Sequence, residues 1–98
     1  MKIVWTHEAR VHLQEIAEFI SKDSPPRAQE FIGQVVERAK VLSDNPRIGR
    51  IVPEISDPDT RELIFKNYRV VHRLSSRAVH ILTIFEGHRL LRDEEINK

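Results

Sequence analysis

Two periodicities divide the chain. Ala9, Leu13, Ile16, Ala17 and Ile20 recur at helical spacing, with Arg10, Gln14, Glu15 and Glu18 opposite. Thr6 precedes this stripe as an N-cap residue type and Glu8 sits in the first turn, so the pattern predicts a helix from about Thr6 to Lys22. Ser24-Pro25-Pro26 stops it and starts the next helix, with Ser24 as cap and Pro25 at the first helical position. Ala28, Phe31, Ile32, Val35, Ala39 and Leu42 form the second stripe, and Asn45-Pro46 ends it. Two helices joined by so short a break form an antiparallel hairpin with one shared apolar face.

From Arg61 the period changes to two. Arg61–Lys66, Tyr68–Leu74 and Ala78–Phe85 read as three antiparallel strands, separated by Lys66-Asn67 and by Ser75-Ser76-Arg77. In the middle strand Tyr68, Val70, His72 and Leu74 point to a core. Arg69, Val71 and Arg73 point to a basic, functional face. The third strand is apolar on both parities, with Val79, Ile81 and Phe85 against Leu82 and Ile84. That marks a central strand covered on both sides, one cover being a partner in so small a domain. Lys2–Trp5 is a further short strand that joins the same sheet. Arg47–Thr60 is irregular, punctuated by Gly49, Pro53 and Pro58, with Ile51-Val52 as a short edge strand.

The helical hairpin must bury its stripe, and the sheet is the only large surface available. The expected fold is therefore α+β and two-layered: an N-terminal strand and an α-helical hairpin packed on a mainly antiparallel sheet, in the order β-α-α-β-β-β. At 98 residues the chain is one domain. Leu91 and Ile96 alone cannot hold down the end, so a mobile tail is expected from about residue 90.

Composition narrows the chemistry. The chain has no cysteine, which excludes disulfides, thiolate metal sites and a cysteine nucleophile, and fits a cytoplasmic location. No apolar run approaches the ~18 residues of a membrane span, so no membrane partner is expected. Net charge is only +1, but it is unevenly spread. Residues 61–92 carry Arg61, Lys66, Arg69, Arg73, Arg77, Arg89 and Arg92 against Glu62 and Glu86. Such separation predicts a basic sheet face that meets something acidic, or a sheet edge guarded by solvated arginines. His7, His12 and His80 lack ligand-like spacing, so no metal site is expected and no cofactor is implied. His72 and Tyr68 share the core parity, which predicts a hydrogen-bonded buried histidine and a packing tyrosine.

In order and spacing the chain resembles the ParE/RelE superfamily of bacterial type II toxins. The resemblance runs from Lys2 to about Leu91. It rests on Trp5 ending the first strand, then Ala9, Leu13 and Ile16, then Ala28 and Phe31, then Leu42, Asn45-Pro46 and Gly49-Arg50. Arg61-Glu62-Leu63, Tyr68 to Arg73 and Ile81 to Phe85 running into Gly87-His88-Arg89 complete it. Two departures stand out: Glu86-Gly87-His88-Arg89 replaces the His-Gly-Arg-Arg usual in ParE-like members, and His72 replaces a frequent tyrosine.

The resemblance implies a small toxin neutralised by a cognate antitoxin in a toxin–antitoxin hetero-oligomer, with the antitoxin's C-terminal segment wrapping the toxin. The scarcity of lysine, with only Lys66 between Lys40 and Lys98, tilts the reading to the ParE-like branch, which poisons DNA gyrase by binding. On that branch the antitoxin contact is placed at Arg69, Arg73, Leu82 and Ile84. The gyrase contact is placed at His88, Arg89, Leu90, Leu91 and Arg92, where arginines flank an apolar pair. The alternative is RelE-like cleavage of mRNA on the ribosome, which needs a base, an acid and cations for the phosphorane charge. Arg61, Arg73, Glu86 and His88 are the catalytic candidates on that branch. A degenerate member that binds antitoxin without toxicity is the third reading.

Overall fold

The computed structural model describes residues 1–87. Strand β1 is Lys2–Trp5, helix α1 is His7–Ser21 and helix α2 is Pro25–Ala39, followed by a 3-10 turn at Lys40–Ser43. Strands β2 (Arg50–Ile51), β3 (Thr60–Phe65), β4 (Tyr68–Leu74) and β5 (Ala78–Glu86) follow. The sheet order is β1-β5-β4-β3-β2. β1 runs parallel to β5, and every other pairing is antiparallel. The architecture is the expected α+β one, with the first strand in the sheet.

Local chemistry sets the boundaries. Thr6 caps α1 by accepting from the Ala9 N–H at 3.2 Å, and its own hydroxyl donates to the Ile81 carbonyl at 2.7 Å. One threonine therefore starts the helix and ties it to β5. Ser24 caps α2 by accepting from the Arg27 N–H, ahead of the prolines at the first turn. The turn from β3 to β4 has two residues, and it puts Lys66 in the left-handed region at φ 54°. Such a turn pairs Phe65 with Tyr68 and thereby sets the register of the whole hairpin.

One core fills the space between helices and sheet. Leu13, Phe31, Val35 and Leu42 meet Leu63, Val70, Val79, Ile81 and Ile84 there, with Tyr68 packed edge-on against Phe31 at a centroid distance of 5.2 Å. A smaller cluster lies apart from it: Val52, Val71 and Phe85, with Ile55 and Leu82 against them. This corrects the expectation that a partner is needed to cover the second face of β5. The irregular segment 52–59 lies across that face and supplies Val52, which is completely buried. Burial of one such side chain contributes about 1.5–3 kcal/mol.

The register shifts between β4 and β5. Val71 lies opposite Thr83 and His72 opposite Ile81, so Leu82 is the extra residue of a β-bulge. The bulge reverses the parity of β5 partway along. Leu82 and Ile84, expected on one face, belong to the two different clusters: Leu82 to the outer one, Ile84 to the helix-facing core.

Candidate functional site

The face of the sheet away from the helices carries Arg69 and Arg73, as the parity of β4 predicts. It is not a basic surface. Arg69 is buried, and its Nε donates to Glu62 Oε1 at 2.7 Å. Its Nη1 and Nη2 donate to the two carboxylate oxygens of Glu54 at 2.7 and 2.8 Å. The Arg69 guanidinium also lies 5.1 Å from the centre of the Phe85 ring. Hydrogen bonding to Glu54, then to Glu62, holds Arg69 charged well above the ordinary arginine range. Glu62 is itself buried and accepts a further bond from Arg50 Nε at 2.8 Å. Its place follows from the hairpin register, in which Glu62 and Arg69 are diagonal neighbours across β3 and β4.

Arg73 is held in the same way. Its Nε donates to Thr60 Oγ1 at 2.9 Å, and Thr60 donates in turn to Asp57 Oδ2 at 2.8 Å. The Thr60 hydroxyl, with the Asp59 N–H, holds the Asp57 carboxyl below its ordinary value, and Arg73 adds to this. Arg61 donates to the backbone carbonyls of Pro58 and Gly49. Gly49 has φ 94°, and a Cβ there would collide with the Glu62 carbonyl oxygen, so the segment leading into β2 depends on this glycine.

The sequence reading missed Glu54, Asp57 and Glu62 as partners. Glu54 and Asp57 fall outside the window in which the positive charge was counted. Asp57 carried a signal, since an Asp three residues before a Thr at a strand start is a turn with a side-chain bond. The predicted site residues are placed unequally. Arg69, Arg73 and Leu82 lie on the outer face. Ile84 is buried against the helices, which corrects its assignment to an antitoxin surface. Arg61 and Glu86 stand at opposite ends of β3 and β5. His88, Arg89, Leu90, Leu91 and Arg92 lie outside the described residues.

His72 is fully buried, as its parity predicts, but neither ring nitrogen has a hydrogen-bond partner among the described residues. Burial lowers its pKa to about 4, with backbone groups of Val70 and Ile48 opposing the shift and Arg61 reinforcing it. Burial thus favours its neutral form. His12 Nδ1 lies 2.7 Å from Thr83 Oγ1, at the bulge. Beside it runs a groove of about 410 Å³ between α1 and the end of β5, lined by Glu15, Ile16, Phe19, Tyr68, Ile84 and Glu86 among others. Among the described residues there is no cluster of His, Asp and Glu suited to a metal, and no helix long and apolar enough to cross a membrane.

The sequence profile of the ParE toxin of type II toxin–antitoxin systems, parDE, matches residues 3–91. The chain belongs to the ParE toxin family. It is 34% identical over 92 residues to a Sinorhizobium fredii protein named "Putative toxin Y4kP", a match that covers 89% of this chain and 88% of that one. Its fold is similar to that of a chain from the chromosomal ParDE TA system of P. aeruginosa, with a TM-score of 0.74 and 24% identity. That likeness covers 88% of this chain and 95% of the other. For a ParE-family toxin, the outer sheet face described above is an ion-paired platform closed by its own loop.

Proposed function

We propose that this ParE-family toxin acts by binding, with DNA gyrase as its target and a cognate antitoxin as its neutralising partner. One observation carries the binding reading. The arginines that a ribonuclease would aim at a phosphorane are engaged within the protein: Arg69 by Glu54 and Glu62, Arg73 by Thr60, Arg61 by two carbonyls. Transition-state stabilisation requires donors aimed at where charge develops, in a preorganised site. These donors are organised around the fold instead. Family membership supports the same reading, and the P. aeruginosa relative is described as a ParDE system, which supports pairing with an antitoxin. A gyrase target places the protein in the cytoplasm.

Induced expression followed by two readouts tests the target. The expected result is an early DNA-damage response with translation continuing, and inhibition of gyrase supercoiling by the purified protein. Early arrest of translation with mRNA cut on ribosomes, and untouched supercoiling, would establish the RelE-like alternative instead.

The antitoxin contact proposed here lies on the outer face around Arg73 and Leu82. Arg73 is half-buried on that face and bonded to Thr60, and partly buried arginines are enriched among interface anchors. Arg73→Ala is expected to weaken the complex more than Arg77→Ala, which lies in the β4–β5 turn. Affinity for the antitoxin measured by calorimetry, beside the melting temperature of each variant, checks this. Equal losses from the two substitutions would move the contact elsewhere.

A further inference from the structure

The groove between α1 and the end of β5 takes no part in the contacts proposed above. Its volume is about 410 Å³, and every residue that lines it lies among the described ones. The wall is apolar and aromatic: Ile16 and Phe19 on α1, Tyr68 on β4 and Ile84 on β5. Phe19 is 69% exposed, more than any other large apolar side chain among the described residues. Two exposed carboxylates also line the groove, Glu15 from α1 and Glu86 from β5. Neither has an ion-pair partner among the described residues. His12, the remaining titratable side chain there besides Tyr68, is held by Thr83 at 2.7 Å.

A cavity of this size suits a small ligand, whereas a stably docked protein would need ~800 Å² of contact on each side. The charges call for a cation, and their place on two different elements calls for positive charge at two points. A metal ion does not meet this: no cluster of His, Asp and Glu suited to one exists among the described residues, and an ion would leave the apolar wall uncovered. Methylene groups would cover it, and aromatic rings favour an ammonium close by. The Phe19 ring already takes one, the Lys22 Nζ 5.9 Å from its centre, and Lys22 is not part of the groove lining. We propose that this groove binds a linear polyamine, an alkyl chain carrying an ammonium group at each end. The methylenes lie on Ile16, Phe19, Tyr68 and Ile84, and the two ammonium groups meet Glu15 and Glu86. The site does not depend on which target the toxin meets.

Calorimetry on the full chain tests this, with α,ω-diaminoalkanes of increasing length as probes and monoamines of the same lengths and magnesium ions as comparators. Saturable one-to-one binding is expected, with an affinity that peaks at one chain length, where both ends reach a carboxylate. At that length the monoamine should bind about two- to fivefold more weakly, the effect of losing one exposed ion pair. Glu15→Gln and Glu86→Gln should each cost the diamine the same factor and remove the length optimum. Glu18→Gln is the control: an exposed acid of α1 outside the groove, it should leave binding unchanged. Net charge is only +1, so general attraction of cations does not produce this pattern. Affinity that rises steadily with chain length would overturn the proposal in favour of apolar contact alone. Equal binding of magnesium, or an equal loss in Glu18→Gln, would overturn it in favour of unspecific charge. No saturable binding of any diamine would overturn it too, and would leave the groove to a lysine- or arginine-bearing protein segment.

Discussion

Arg69→Met is expected to destabilise the fold by about 3–5 kcal/mol, a large share of the stability of a domain this size. The reason is what the substitution leaves behind. The Glu62 side chain has no exposed surface, and Arg69 covers it from within the protein at 2.6–2.7 Å. Without Arg69, Arg50 alone among the described residues pairs with that carboxylate, and the Arg50 side chain is 60% exposed and largely solvated. A buried carboxylate with one screened partner carries most of its desolvation cost uncompensated. Glu54 would lose its bidentate partner too, but at 18% exposure it can turn to water. The double variant Glu62→Met/Arg69→Met should therefore recover most of the loss, because it removes both charges from the buried position. Urea unfolding of the two variants beside the parent decides the matter. If the double variant is as unstable as the single one, the contact of the Arg69 guanidinium with the Phe85 ring rather than charge burial dominates.

This ion cluster also shows where the sequence stopped being readable. The helices were legible because Ala9, Leu13, Ile16 and Phe31, Val35, Ala39 keep a helical period, and because Thr6, Ser24 and Pro25 mark their starts. The β3–β4 hairpin was legible because a two-residue turn leaves one register. The bulge was not. Leu82 and Thr83 are ordinary strand residues, with no glycine to mark an insertion, so strict alternation put Leu82 and Ile84 on one face. The pairing of β1 with β5 joins residues about 76 positions apart, and nothing local in Lys2–Trp5 names its neighbour. The second cover of the sheet was hidden for a related reason. Segment 52–59 has no periodicity, yet Val52 and Ile55 cap an apolar cluster while Glu54 and Asp57 neutralise the arginines. A basic strand in sequence thus became a neutral platform in the fold. Charge counted along a window says nothing about carboxylates brought in from outside it.

Acid should destabilise this protein well above the pH at which carboxylates titrate, and His72 is the expected cause. Its imidazole is fully buried, without a hydrogen-bond partner among the described residues, and its pKa falls from 6.5 to about 4. Between those two values the unfolded chain binds a proton that the folded chain refuses, so stability rises with pH across that window and is level above it. The contribution is complete above about pH 6.5 and is lost progressively as pH falls toward 4. Each unit crossed costs up to ~1.4 kcal/mol, so about 2–3 kcal/mol should be gone by pH 4.5. Asp57 contributes in the same direction but in a lower window, since its pKa lies below 3.8. The range from pH 6.5 to 4.5 therefore isolates the histidine from that carboxylate. His72→Phe keeps a ring in the core and removes the titrating group. Its urea midpoint should stay nearly level over that range while the parent's falls. It should also match or exceed the parent at neutral pH, because an unpartnered buried imidazole costs about 1–3 kcal/mol on its own. The same acid slope in His72→Phe as in the parent would mean that another group titrates in this window and that the folded state tolerates a charged His72.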